Sequence, residues 1–383
     1  MTNEENVSEN NDLESSSKII KNLVHDLVDQ IAYSTEESQS DQKQEEIPVQ
    51  APSVTTRNEN NYYSVKWINF HHQKIPIILQ NINGPCPLIS ICNVLLLRDQ
   101  IHLSQNIEII SNESLVQKLA DALFNIFVPR LQQTASNAGI NYEQNVNDAL
   151  SIFDKLQYGL DVNVKFSGCS DFEYTKEMDI FDLFSINLYH GWLIDPQQKE
   201  LFQSLADKSY NQLVEISVSN DSENNHEKTV MKLLAEDFLK STASQLTFYG
   251  LSSLYSSLKP HELAIFFRNN HFSTIYRHPE NKCLYTLVTD NGYLNHKEIV
   301  WETLDGIEGA GNFCDSNFKL IDGEPKVQQP QSQSNNDYLL ALSLQQQEEQ
   351  QQQRQQSLPR SSSERSSNRQ QSPKKKDKGC ILM

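Results

Sequence analysis

The sequence predicts an α+β domain set between two polar tails. Helical periodicities fill much of its first half, strand patterns crowd residues 262–299, and the first sixty and last sixty residues carry little apolar surface to bury. A tail that buries so little cannot offset its chain entropy, so disorder is expected over 1–60 and 326–383, with one folded domain over 61–325.

Within the acidic tail 1–60, "SKIIKNLVHDLVDQIAYS" repeats Ile20, Leu23, Val24, Leu27 and Ile31 at helical spacing, with Ser17 placed to cap. This reads as a short amphipathic helix over about 17–33. It either docks on the domain or binds a partner.

At residue 62 the composition changes. The stretches "YYSVKWINF" and "QKIPIILQ" are aromatic and β-branched and read as strands. Helical patterns follow in "PLISICNVLLLR", "NESLVQKLADALFNIFVPRL" and "MKLLAEDFLKSTAS". Then come the strand patterns "ELAIFFR", "HFSTIYR", "CLYTLVTD" and "IVWETL", with turns at Asn269-Asn270 and Asn291-Gly292. Helices first and antiparallel strands later give the α+β assignment.

A formal net charge of −18, with no basic face inside the domain, excludes nucleic acid as a partner, because neutralising phosphates requires clustered Lys and Arg. Six cysteines, at 86, 92, 169, 283, 314 and 380, form no CxxC pair and no Cys/His zinc spacing. Free thiols in a reducing compartment are expected, with no metal and no cofactor. No apolar leader and no run long enough to span a bilayer is present, which predicts a chain that is neither secreted nor transmembrane.

Chemistry concentrates at Gly84-Pro85-Cys86-Pro87, directly before an apolar helical pattern. Proline suits the first turn of a helix, where its missing N–H costs nothing. A cysteine at that boundary meets unpaired N–H groups and the positive end of the helix dipole, which favour thiolate over thiol. Gln80, six residues earlier, has an amide able to donate to an oxyanion, and Gln-x5-Cys at a helix start is the site arrangement of papain-like thiol proteases. The alternative is a thiol that merely sits near a helix cap. Cys92 falls deeper in the apolar run and is expected to be buried and inert.

A thiol nucleophile requires a base, and ten histidines compete for that role. His271 follows the Asn-Asn turn and opens a strand, which places its ring at a sheet edge. His190, in "YHGWLID", is its rival, and spacing alone does not choose between them.

Taken together, "QNINGPCPLISICNVLLLR", "YGLDVNVKFSGCSDFEYT", "FDLFSINLYHGWLIDPQ", "FFRNNHFSTIYRH" and "LYTLVTDNGYL" with "VWETL" resemble the MINDY family of deubiquitinating enzymes. The resemblance runs from about residue 62 to 321. It implies a papain-like cysteine isopeptidase core acting on ubiquitin, with a preference for lysine-48-linked chains trimmed from the distal end. By motif position it makes Cys86 the nucleophile, His271 the general base and Gln80 the oxyanion donor, and it puts Asp161, Val162, Trp192, Tyr210 and Phe267 on surfaces that contact ubiquitin. Read from the residues alone, Val162, Trp192 and Phe267 serve equally well as core. Cys169, inside "FSGCSDF", departs from the family pattern.

The tail 326–383 carries two further signals. In "DYLLALSLQQQE", residues 337–348, Asp337, Leu340, Ala341, Leu344 and Glu348 fall on one helical stripe. The pattern resembles an inverted ubiquitin-interacting helix, with a Gln-rich self-associating coil as the alternative. The chain ends in Cys380-Ile381-Leu382-Met383, a C-a-a-X box that predicts a prenyl group on Cys380, preceded by Lys374, Lys375, Lys376 and Lys378. One lipid gives marginal membrane residence, and the basic stretch supplies a second signal of about 1 kcal/mol per charge. The expected location is cytoplasmic, at the cytoplasmic face of a membrane. A membrane-tethered polyubiquitin adaptor without catalysis is the competing function, and an accidental terminal cysteine the competing reading of Cys380.

Overall fold

The computed structural model describes residues 62–81, 85–123, 152–153, 155–157, 159–219, 226–308 and 311–321. The chain opens on a β-hairpin. Strand β1 (Tyr62–Phe70) turns at His71 and His72, both at positive φ, into β2 (Gln73–Ile78), with Phe70 opposite Gln73. Two left-handed residues in a two-residue loop match the twist of the flanking strands. Helix α1 (Cys86–Leu97) follows, then β3 (Ile109–Ser111), which pairs with the other edge of β1 to give the order β2-β1-β3.

Residues 112–123 are helical, the described part of the helix expected over "NESLVQKLADALFNIFVPRL". Next come α2 (Asp179–Leu183), β4 (Leu188–His190), α3 (Lys199–Leu205), α4 (Tyr210–Val218), α5 (His226–Ser241) and α6 (Phe248–Ser257). The last stretch supplies β5 (Leu263–Arg268), β6 (His271–Arg277), β7 (Leu284–Leu287), β8 (Trp301–Thr303) and β9 (Phe313–Cys314), in a sheet ordered β4-β5-β6-β7-β8-β9. The α+β class therefore holds, and the strands expected in "YYSVKWINF" and "QKIPIILQ" open the domain. One feature departs from the expected antiparallel pairing: β4 joins β5 in parallel, since the helices described between them provide the crossover that parallel pairing needs.

Every residue of α1 from Pro87 to Leu97 is buried. The reason is its position: it packs on β2 of the first sheet and on β5 and β6 of the second. A helix apolar on all sides belongs in a core. Cys92 lies inside it with no exposed surface, as expected of an inert thiol.

The helix expected over 17–33, the helix over 337–348 with Leu340, Ala341 and Leu344, the basic stretch and Cys380 lie outside the described residues. Among the described residues no helix is long and apolar enough to cross a membrane.

Candidate active site

Cys86 is the first residue of α1, preceded by extended Pro85, and Pro87 takes the second position. No hydrogen bond is lost there, because the first four N–H groups of a helix have no intrahelical acceptor. The first bond of the helix runs from Ile89 N–H to Pro85 C=O, at 3.1 Å.

The thiol is half-buried and meets two backbone N–H groups, those of Phe272 and of Cys86 itself. Burial raises its pKa and the two donors lower it, and burial wins, leaving the thiol above the ordinary cysteine range. The expectation that the helix start alone would favour thiolate is thus corrected for the resting protein: desolvation of the sulfur exceeds what the donors return.

His271 opens β6. The Asn269-Asn270 turn before it has φ of 51° and 55°, the left-handed pair of a tight hairpin, and the register sets Arg268 opposite His271. The turn is pinned from outside: Asn269 N–H donates to Gln245 Oε1 at 2.9 Å, and Arg268 donates to the carbonyls of Ser244 and Ile307 at 2.8 and 2.7 Å. His271 keeps an exposed side, yet burial of the rest of the ring lowers its pKa. Thr274, on the same strand, donates to Ser90 C=O of α1 at 3.3 Å, so the strand of the imidazole is bonded to the helix of the thiol.

His190 is engaged elsewhere. It has no exposed surface; its Nδ1 accepts from Trp192 N–H at 3.2 Å, and its Nε2 lies 3.1 Å from Asp171 C=O, which assigns the proton to Nε2. Burial pushes its pKa down to about 4. Both nitrogens are used in holding the "HGW" segment, and the ring has no route to a substrate.

Gln80 lies just past β2, two residues beyond Ile78. Its N–H donates to Thr289 C=O at 2.6 Å and its C=O accepts from Asn291 N–H at 3.2 Å, forming a parallel bridge opposite Asp290. The segment holding it is itself held. Asp290 accepts from Gly292 N–H at 2.6 Å, and the buried Lys66 donates to the carbonyls of Tyr293, His296 and Ile299 at 2.9, 2.7 and 2.6 Å. Cys86 on α1, His271 on β6 and Gln80 just past β2 thus belong to segments joined through α1, which packs on both strands.

Of the residues that the resemblance put on ubiquitin-contacting surfaces, Asp161 is exposed, Val162 half-buried and Tyr210 38% exposed. Trp192 is 4% exposed; its ring stacks on Phe238, meets Phe166 edge-on and lies 5.5 Å from Tyr210, while Nε1 donates to Thr242 Oγ1. Tyr210 N–H donates to Val164 C=O at 3.0 Å, so Tyr210 adjoins both Trp192 and the 161–164 strip. Phe267 is 7% exposed and lies opposite His190 in the β4–β5 pairing, its ring 4.9 Å from that of Phe272, whose N–H lies near the thiol.

Sequence reasoning passed over three residues that shape the site: Phe272, Lys66 and Asn93. Only Asn93 left a visible trace, as the one amide side chain in the apolar run after Cys86.

The model of the MINDY deubiquitinase family matches residues 61–318. Ubiquitin carboxyl-terminal hydrolase MINDY-2 of Bos taurus is 45% identical over 306 residues, 79% of this chain and 48% of that protein. The human MINDY-2 is 46% identical over 286 residues, covering 74% of this chain and 45% of that protein. MINDY-1 of Danio rerio is 44% identical over 294 residues, covering 74% and 56%. The chain spans about half the length of these relatives.

Proposed function

The chain belongs to the MINDY deubiquitinase family, and from that premise we propose that it is a cysteine isopeptidase that removes ubiquitin, with Cys86 as nucleophile, His271 as general base and Gln80 as oxyanion donor. The single observation that carries the reading is the position of the Cys86 thiol, at a helix start and against the N–H of the residue that follows His271.

In this reading the three residues divide the reaction between them. His271 takes the thiol proton as sulfur attacks the isopeptide carbonyl, so a neutral thiol at rest becomes a nucleophile as its proton leaves. Charge that gathers on the carbonyl oxygen is met by the Gln80 amide and by the Cys86 N–H at the helix start, each such donor being worth roughly two to three orders of magnitude in rate. Collapse breaks the C–N bond, His271 returns the proton to the lysine amine, and water hydrolyses the thioester.

The substrate in this reading is lysine-48-linked polyubiquitin trimmed from its distal end. Asp161, Val162, Trp192, Tyr210 and Phe267 contact ubiquitin, and Leu340, Ala341 and Leu344 of a tail helix raise chain occupancy through effective concentration. A prenyl group on Cys380, with the lysines before it, holds the enzyme at the cytoplasmic face of a membrane. The family resemblance and the terminal sequence motifs support these finer points.

The test is a ubiquitin-propargylamide probe together with a panel of tetra-ubiquitin linkages. An adduct lost in Cys86→Ala, with lysine-48 chains cleaved fastest, is expected. Chain binding with no adduct would favour the adaptor reading. For the anchor, Cys380→Ser is expected to move the protein from the membrane fraction to the cytosol, and an unchanged fraction would count against prenylation.

A further inference from the structure

Helix α1 carries an amide that the reaction scheme leaves unused. Asn93 has no exposed surface, and both ends of its carboxamide bond one residue: Ile78 N–H donates to Asn93 Oδ1 at 2.7 Å, and Asn93 Nδ2 donates to Ile78 C=O at 3.0 Å. Ile78 is the last residue of β2, and Gln80 follows two positions on.

Helical geometry shows what this bracket does. Cys86, Ser90 and Asn93 are at i, i+4 and i+7 on α1, hence on one face. From that face Ser90 C=O accepts from Thr274 on the strand of His271, while Asn93 clasps the strand that leads to Gln80. Beyond Ile78, Leu79 N–H is taken by Ser64 and Gln80 by Thr289 and Asn291, which leaves little slack between clasp and amide. A buried apolar contact can slide by fractions of an ångström at small cost, whereas a two-point hydrogen bond to both sides of one peptide residue sets height and rotation together. Oxyanion stabilisation requires a donor held at hydrogen-bond distance from the developing charge, and displacement of about 1 Å costs about 100-fold.

We propose that Asn93 is a positioning residue that fixes the Gln80 amide relative to the Cys86 thiol by clasping Ile78. The proposal rests on Gln80 being the oxyanion donor. A residue of this kind acts on kcat through Gln80 and leaves ubiquitin binding, and hence KM, in place.

The experiment is a double-mutant cycle with Asn93→Leu and Gln80→Ala in the full chain. Steady-state cleavage of lysine-48-linked tetra-ubiquitin is normalised to the fraction of protein that ubiquitin-propargylamide titrates. Asn93→Leu is expected to lower kcat by about 10- to 100-fold with KM within about threefold, and to have less than about a threefold effect once Gln80 is alanine. Equal losses in both backgrounds would overturn the proposal, since they would make Asn93 part of the general scaffold. If Gln80→Ala alone left kcat unchanged, the oxyanion reading of Gln80 would fail and the proposal with it. Asn93→Asp keeps volume and the bond from Ile78 N–H, and serves if the leucine variant does not fold, with the same pattern expected at smaller amplitude. If neither variant yields native protein by circular dichroism, Asn93 is a folding requirement and the positioning role is overturned.

Discussion

The backbone N–H of Phe272 lies near the sulfur of Cys86, which sets the thiol close to the residue directly after His271. Burial holds the Cys86 pKa above its ordinary value and the His271 pKa below its own, so both shifts favour the uncharged forms, a thiol and a neutral imidazole, over an ion pair in the free protein. Iodoacetamide alkylation of Cys86 should accelerate with pH through about 9 with no plateau near neutrality, and His271→Gln should leave that profile almost unmoved. A fast plateau at pH 6 to 7, removed by His271→Gln, would show a preformed thiolate–imidazolium pair instead.

The two competing histidines are expected to fail in different ways. His271→Gln should lower kcat by about 10² to 10⁴ with an unchanged melting temperature, since the ring is at an exposed hairpin end and is the proposed base. His190→Gln should lower the melting temperature, because two backbone partners and the edge contact with Phe172 are disturbed, and should keep kcat within a few-fold where the protein is folded. Calorimetry alongside tetra-ubiquitin kinetics separates the two. The opposite pairing of losses would return the role of base to His190.

These contrasts mark how far the sequence could be read. Strands β1, β2, β5, β6 and β7 and helix α1 were legible because each repeats apolar residues at its own period, and the Asn269-Asn270 turn because few residue pairs accept two left-handed positions. Three-residue β4 was not, since no period shows in three residues and its parallel pairing depends on where the helices after it return the chain. At the site, the residue types of Cys86, Gln80 and His271 were visible, while the choice of His271 over His190 needed the family motifs. The donor from Phe272 was invisible in principle: it is a main-chain N–H, and any residue but proline supplies one. The burial that raises the thiol pKa depends likewise on distant segments closing over the sulfur.

His190 also sets a pH dependence of stability. Its folded pKa of about 4 lies below the usual 6.5, so between those values the unfolded chain binds the proton that the native state refuses. Its contribution is complete above about pH 6.5, declines as pH falls and is gone below about pH 4, amounting to about 3 kcal/mol across the window. Urea midpoints measured from pH 7 to 4.5 should fall more steeply for the wild type than for His190→Gln, after allowance for the lower starting stability of the variant. Parallel curves would mean that the imidazole is protonated in the native state.

Lys66 offers a test of the clamp from its far side. Its ammonium is buried beneath β1, with its pKa pushed down to about 8, and it gathers the carbonyls of Tyr293, His296 and Ile299. Those bonds bind together the segment that follows Thr289, Asp290 and Asn291, the residues that grip the Gln80 backbone. Lys66→Met keeps much of the aliphatic stem but removes the ammonium from three carbonyls; Tyr293 and His296 C=O still accept from His296 and Ile299 N–H at 3.1 Å each, while the buried Ile299 carbonyl loses its lysine donor at a cost of about 1–3 kcal/mol. The consequence should reach Gln80. Hydrogen exchange at its amide, which donates to Thr289 at 2.6 Å, should speed up relative to amides of α1, and kcat should fall while KM holds. The pH series carries the sign: because the folded pKa is depressed, this lysine destabilises the native state below about pH 8 and ceases to do so as pH rises toward 10.5, so wild-type stability should gain across that interval and the methionine variant should lack that gain. Unaltered exchange at Gln80 in Lys66→Met would show that the clamp stands without its anchor.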